Sequence, residues 1–380
     1  MKFFADYVCQ EKKTGYIVCG DYYLCDRNET GTVYLLCDGI GSGVYANIAA
    51  IACAERLMEL IRRGVSLRAS AEMVAASMNR ARNENIPFSA FSAALISHSG
   101  QFTVYTYEAP APLLLRTAGA RVLTTRVYTA GYEVISESVG WMHRGNGLVL
   151  SSDGVTQAGM GHGYGFGIGS EGVADFINRN RKPDDDVTQL PRRVVDYCHR
   201  LSTNRYEDDT TFVLLHCREA SELTLLTGPP SSSAMDYAYA RIIKNAAGKK
   251  IVCGSTTLDI ISRELKTPIT TSNIRLSQGS PPEYFLENVD LATEGAITLN
   301  QVCNILDESR EDYEDNTPVQ RLCVMLNEAD VIRLHIGNAA NDAHDSILFK
   351  QVGVRVRRAT IGTLAQKLRD KGKLVIEKYY

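Results

Sequence analysis

The sequence lacks any apolar run long enough to cross a bilayer, and its first residues, MKFFADYVCQEKK, lack the long apolar stretch and cleavage site of a signal peptide. Both absences lead to the expectation of a cytoplasmic protein. No block of a single charge occurs either. The 41 basic and 44 acidic side chains leave a formal charge of −3, which argues against nucleic-acid or membrane binding and for small molecules or proteins as partners. Ten cysteines include no Cys-x-x-Cys pair; Cys37, Cys53, Cys253 and Cys323 lie in apolar segments and read as reduced core residues. The Gly-x-x-x-x-Gly-Lys-Ser/Thr loop of Walker-type ATPases is missing, as is the Cys-x₅-Arg loop that would supply a thiolate nucleophile.

What is present is enough for packed cores. A chain of 380 residues with 44% apolar side chains has room for two ordinary domains. GYIVCGDYYLCDR and TVYLLCDG read as neighbouring strands joined by the turn at 28–31, and Val44–Arg63 and Ser66–Asn83 carry apolar residues at helical spacing around a break at Gly64. FSAALIS, QFTVYTYEA, PLLLRTAG, ARVLTT and NGLVLSSDG then read as a cluster of strands, followed by a helix over Val187–Leu201 and the strand DDTTFVLLHC. Strands and helices in separate runs predict an α+β layered domain rather than a doubly wound parallel sheet.

The stretch LLCDGIGSGVYANIAA poses the functional question. Its glycines suggest a dinucleotide cradle, but the acidic residue that such a fingerprint needs about 20 residues on would fall inside a helix. Asp38 would also face a pyrophosphate with no cation between them. A carboxylate at a strand end beside a tight turn is better suited to a hard divalent cation. Asp153 follows the run LVLSS, Asp208 and Asp209 precede TTFVLL, and Asp21 lies in the strand expected beside that of Asp38. Any one of these is more often a solvated turn residue; together they imply acidic groups converging at one edge of a sandwich.

GDYY, CDGIGSG, SSDGV and DDTTFVLL, in this order and spacing, resemble the signature motifs of the stage II sporulation protein E-like branch of the metal-dependent type 2C (PPM) serine/threonine phosphatases, over about residues 1–218. FSAFSAALIS and GQFTVYTYEAPAPLLLR are similar to that family's middle strands. The resemblance implies a four-layer α-β-β-α sandwich holding two Mn²⁺ or Mg²⁺ ions. By motif, Asp38 would bridge the ions, the Gly39 carbonyl would bind one of them, and Asp153 and Asp208 would complete the other's shell. Asp21 would act through water, and Asp209 would stand behind the ligands. Asp38, Asp153 and Asp208 would thus serve catalysis through a metal-activated water attacking a phosphoserine or phosphothreonine of a phosphoprotein. The glycines are expected to let the chain bend so that a carbonyl faces the metal.

Ile40 stands where eukaryotic relatives commonly carry a histidine proposed as general acid, so the leaving-group proton is expected from metal-bound water. No phosphate-clamping arginine is identifiable; Arg27 and Arg144 read as surface residues, and His162 as a loop residue. The glycine-rich loop 159–169 is a candidate gate for substrate. A catalytically degenerate scaffold and a phosphatase of small metabolites stay open as other readings.

Past a linker expected at 219–230, with Gly-Pro-Pro as a stiff hinge, residues 231–380 alternate strand and helix and predict a smaller α/β domain. GPPSSSAMD and CGSTTLD would each present free amides and hydroxyls at a helix start, which is ordinary N-capping chemistry or an anion site. The CGSTT turn and TEGAIT resemble the tail of some anaerobic bacterial phosphatases of this branch. A small-molecule or protein ligand for this part is the expectation.

Overall fold

The computed structural model describes residues 1–182, 185–271, 281–308, 317–339 and 357–380. They fall into two compact units, Met1–Asp26 with Thr30–Glu219, and Arg27–Glu29 with Ala220–Tyr380. Among the described residues no helix is long and apolar enough to cross a membrane.

The first unit contains β1 (Lys2–Glu11), β2 (Asp21–Arg27), β3 (Gly31–Gly39), α1 (Val44–Arg62), α2 (Leu67–Asn83), β4 (Ser89–Ser97), β5 (Gln101–Tyr107), β6 (Leu113–Arg116), β7 (Gly119–Val122), β8 (Arg126–Ala130), β9 (Glu133–Trp141), β10 (Gly147–Ser151), α3 (Asp153–Thr156), α4 (Gly169–Asn180), α5 (Leu190–Leu201) and β11 (Thr210–Glu219). Two sheets result, ordered β1-β11-β10-β6-β7 and β2-β3-β4-β5-β9-β8. Alternate residues of each strand face opposite ways, which explains the layering. Tyr34, Leu36, Ala94, Ile96 and Phe102 from one sheet meet Leu114, Leu148, Leu150, Val213 and Leu215 from the other in the central core. Leu35, Cys37 and Ala93 face outward onto Ala50, Ala54, Leu57, Ala71 and Val74 of α1 and α2. Val149, Phe212 and Leu214 face Val173, Ile177, Val194 and Cys198 of α4 and α5. The result is the expected α-β-β-α sandwich.

Ser66 caps α2 by accepting from the Ala69 amide at 3.2 Å. The run GYIVCG, expected as strand, is not one; the strand starts only at Asp21. Gly15 takes φ +95 and the Thr14 amide donates to the Tyr206 carbonyl at 2.9 Å, turning the chain away, so Ile17 is left 89% exposed.

The second unit contains β12 (Glu222–Thr227), α6 (Asp236–Asn245), β13 (Lys249–Cys253), α7 (Ser255–Leu265), β14 (Thr270–Thr271), β15 (Glu283–Phe285), β16 (Leu291–Thr293), α8 (Ala296–Ile305), α9 (Pro318–Glu328), β17 (Val331–Ile336), α10 (Arg357–Asp370) and β18 (Leu374–Tyr379). Its sheet runs β14-β15-β16-β13-β12-β17-β18, with β16, β13, β12, β17 and β18 all parallel. Residues 222–227, inside the stretch expected as linker, form the central strand: Leu223, Leu225 and Leu226 are fully buried, as a strand covered on both faces requires. Gly-Pro-Pro therefore follows the unit's first strand instead of introducing it.

Candidate metal centre

Five aspartates meet at one end of the sandwich because the strands that carry them begin or finish there. Asp38 closes β3, Asp21 opens β2, Asp153 follows β10 and begins α3, and Asp208 and Asp209 lead into β11. The Asp153 amide donates to Asp38 Oδ2 at 3.4 Å. Asp21 and Asp209 are 2% and 3% exposed, whereas Asp38, Asp153 and Asp208 are half-buried.

Local partners hold these groups in place. Thr211 Oγ1 donates to Asp21 Oδ2 at 2.6 Å, the Lys13 amide to Asp209 Oδ1 at 2.9 Å, and Gln157 Nε2 to Asp153 Oδ2 at 2.7 Å. The Asp209 amide donates to Asp208 Oδ1 at 3.0 Å, and Lys13 Nζ stands 3.9 Å from the same oxygen. Asp21 Oδ1 and Asp209 Oδ2 are buried and, among the described residues, have no hydrogen-bond partner. Lone buried carboxylate oxygens are costly, so their presence calls for a compensating charge.

Electrostatics points the same way. Burial raises the Asp38 carboxyl well above its ordinary value, and the charges of Asp21, Asp153 and Asp208 raise it further. Burial pushes Asp21 up to about 7; the Thr211 and Ser152 hydroxyls pull it back while Asp209 and Asp153 push it up. Asp153 and Asp208 are also raised, each chiefly by burial. Like-charged groups that raise one another are destabilising unless protonated or joined by a cation.

The donor set fits a hard divalent cation: carboxylate and carbonyl oxygens. Among the described residues no three His, Cys, Asp or Glu side chains already stand in ligating geometry. The fit therefore rests on the orphaned oxygens and the mutual repulsion.

The glycines do their work differently from expectation. Gly41 and Gly43 take φ +112 and +74 and make the turn, but Gly39 does not adopt a positive φ. A Cβ on Gly39 would lie 2.8 Å from Ala46 Cα and run into the Ala46 carbonyl, so the need at that position is close approach of β3 to α1. Likewise a Cβ on Gly20 would lie 2.7 Å from Asp209 Oδ2.

Of the other residues weighed from sequence, Arg144 and Arg27 lie apart from the cluster. Arg144 pairs with Glu219 at 2.7 Å, at the end of β11 remote from Asp208, and Arg27 ends β2, six residues along from Asp21 and so about 20 Å away. His162 Nε2 sits 2.9 Å from Glu207 Oε1. Sequence reading missed the groups that support the carboxylates: Lys13, Ser152, Gln157 and Thr211. Only the Ser-Ser pair before Asp153 offered a signal. A cavity of about 260 Å³ opens beside Asp208, lined among others by Lys13, Gln157, Met160, Arg205 and Tyr206.

A model of the stage II sporulation protein E (SpoIIE) family matches residues 28–218, half of the chain. No curated protein matches by sequence. Among solved structures, the PP2C phosphatase domain with a fragment of the regulatory domain of SpoIIE from Bacillus subtilis is 14% identical, with a TM-score of 0.49, over 57% of this chain and 64% of that one. The chain thus spans less than two thirds of that structure. The RsbU and RsbW domains of a Mycobacterium tuberculosis protein are 15% identical, with a TM-score of 0.48, over 63% of this chain and 67% of that one. The SiaA PP2C domain of Pseudomonas aeruginosa is 17% identical, with a TM-score of 0.46, over 56% and 85%.

Proposed function

Since the chain belongs to the stage II sporulation protein E family, we propose that its first unit is a metal-dependent phosphatase of phosphoserine and phosphothreonine in proteins, acting in bacterial signalling. One observation carries the reading: Asp21, Asp38, Asp153, Asp208 and Asp209 converge while two of their buried oxygens lack a hydrogen-bond partner among the described residues. On this reading Asp38, Asp153, Asp208 and the Gly39 carbonyl hold two Mn²⁺ or Mg²⁺ ions, with Asp21 joined through water and Asp209 behind them.

Two cations, when bound, neutralise phosphoryl oxygens and lower the pKa of an attacking water. The chain's own contribution is to hold the acids ready. Thr211 fixes Asp21, Gln157 fixes Asp153, and the Lys13 amide fixes Asp209. Lys13, which lines the cavity beside Asp208, would supply positive charge to a substrate phosphate there. Ile40 carries no proton to give, so no side chain at that position serves the leaving group.

Manganese titration of the full chain with p-nitrophenyl phosphate, then with phosphoserine peptides, tests the reading. Metal-dependent turnover of both supports it. Turnover of small phosphorylated metabolites without turnover of peptides would replace it with a metabolite phosphatase, and no turnover with any metal would leave a scaffold.

A further inference from the structure

We infer that the second unit binds the phosphate group of a small molecule at the C-terminal edge of its parallel sheet, where Thr227, Arg357 and the Gly254–Thr257 turn come together.

The topology selects the place. Of the five parallel strands, the first in sequence, β12, is central; β13 and β16 extend to one side, β17 and β18 to the other. The connections also change face. Leu226 and Val252 meet Tyr239, Ala240, Leu258 and Ile261 of α6 and α7, whereas Leu225 and Ile251 meet Leu299, Leu322 and Ile361 of α8, α9 and α10. Sheets wound this way bind ligands beyond their carboxyl ends, near the point where the strand order reverses.

The residues at that edge are hydrogen-bond donors without acceptors. Thr227, the last residue of β12, and Thr257, in the first turn of α7, are 0% exposed, and among the described residues neither hydroxyl has a hydrogen-bond partner. Leaving such groups unmet is unfavourable in a finished core. The Thr257 hydroxyl faces the turn: a Cβ on Gly254 would lie 3.3 Å from it, and Gly254 itself takes φ +128. Among the described residues, nothing accepts from the amides of Ser255, Thr256 and Thr257, since the first intrahelical bond runs from Leu258 to the Gly254 carbonyl.

The positive charge comes from Arg357, half-buried at the start of α10. Its Nη1 lies 3.5 Å from the Gly337 carbonyl and fills the space above Gly228, the residue after Thr227. Among the described residues no carboxylate pairs with it. Glu294 reaches it only at longer range, because that carboxylate accepts from the Ala296 and Ile297 amides at 3.1 and 3.0 Å. Gly295 joins the parts, a Cβ there falling 3.2 Å from Gly254 Cα.

Neighbouring helix starts are closed to an anion. Glu294 occupies that of α8; Ser232 caps the turn leading into α6, and Asp236 in its first turn pairs with Arg263 at 2.5 Å. The carboxyl edge of the sheet combines open amides and a buried hydroxyl at the start of α7, a second buried hydroxyl at Thr227 and the Arg357 guanidinium over Gly228, a set that suits an anion with several oxygens.

The test is calorimetric titration of the full chain, kept metal-free so that the first unit does not capture the probe. The probes are inorganic phosphate, ATP, GTP and glucose 6-phosphate. Binding of at least one phosphate compound is expected, weakened about tenfold or more by Arg357→Gln and several-fold by the near-isosteric Thr257→Val, and unchanged by Asp38→Asn. Tighter binding of a nucleotide or sugar phosphate than of phosphate alone would show that the site also reads the organic part; equal binding would show that it reads the phosphate group. Absence of heat for every probe at millimolar concentration overturns the inference, as does binding that Thr257→Val, folded normally by circular dichroism, leaves unaltered.

Discussion

Gly39→Ala separates what the fold needs at that position from what a metal would need. The added Cβ would lie 2.8 Å from Ala46 Cα, 2.4 Å from no flexible side chain but from the Ala46 carbonyl carbon, and against its oxygen. Ala46 is 1% exposed in the first turns of α1, so backbone has to move to make room. An ordinary carbon contact is about 3.5–4.0 Å, so α1 must retreat from β3 by roughly 1 Å or more at its start. Overpacking of this kind costs about 1–3 kcal/mol, and the rigidity of the opposing backbone puts it at about the upper end. For a unit of this size, about 3 kcal/mol corresponds to a fall in Tm of about 6–12 °C. The chain's single tryptophan, Trp141, lies in β9 of this unit, and its fluorescence reports the transition. The fall is expected with EDTA, and a larger one with Mn²⁺ present, because Asp38 moves with its neighbour and weaker Mn²⁺ binding stabilises the variant less. An unchanged Tm without metal would refute the close-approach argument and leave Gly39 needed only at the metal.

Asp38→Asn is expected to lower the metal-dependent hydrolysis of p-nitrophenyl phosphate about a thousandfold or more while the circular dichroism spectrum stays that of the native protein. Thr211→Val removes the hydroxyl that serves Asp21 Oδ2 and leaves a buried carboxylate without its donor; denaturant unfolding of the metal-free protein should show a loss of about 1–3 kcal/mol. His335, 6% exposed in the second unit, has its pKa lowered to about 4 by burial, with Lys378 and Arg333 adding to the effect. Folding therefore favours the neutral ring: its stabilisation is complete above the ordinary value of 6.5 and is lost as pH falls through about 4. His335→Gln should accordingly reduce the acid sensitivity of the second unit, seen by hydrogen exchange of β17 between pH 7 and 4; equal sensitivity in both proteins would count against burial as the cause.

The aspartates were legible because each sits where an apolar run stops or starts, and a strand end fixes where its side chain can gather. Lys13, Gln157 and Thr211 carried no such mark. Their relevance comes from pairing between segments far apart in sequence, as in the Thr211–Asp21 bond. β1 was overlooked because Phe3, Phe4 and Ala5 are all buried in succession, which hides the alternation of a half-buried strand. β8 and β9 escaped notice for the opposite reason: Val127, Val134 and Val139 are exposed, so apolar residues did not mark a buried face. In the second unit the alternation of strand and helix was readable, but not that β12 is the middle strand. That depends on β17, more than 100 residues later, pairing with it in parallel.

Anomalous diffraction from crystals of the full chain grown with Mn²⁺ tests the central claim most directly. The account predicts manganese peaks bounded by Asp38, Asp153, Asp208 and the Gly39 carbonyl, with Asp21 in the surrounding water shell. Manganese found elsewhere, or none at these carboxylates at saturating concentration, would contradict it.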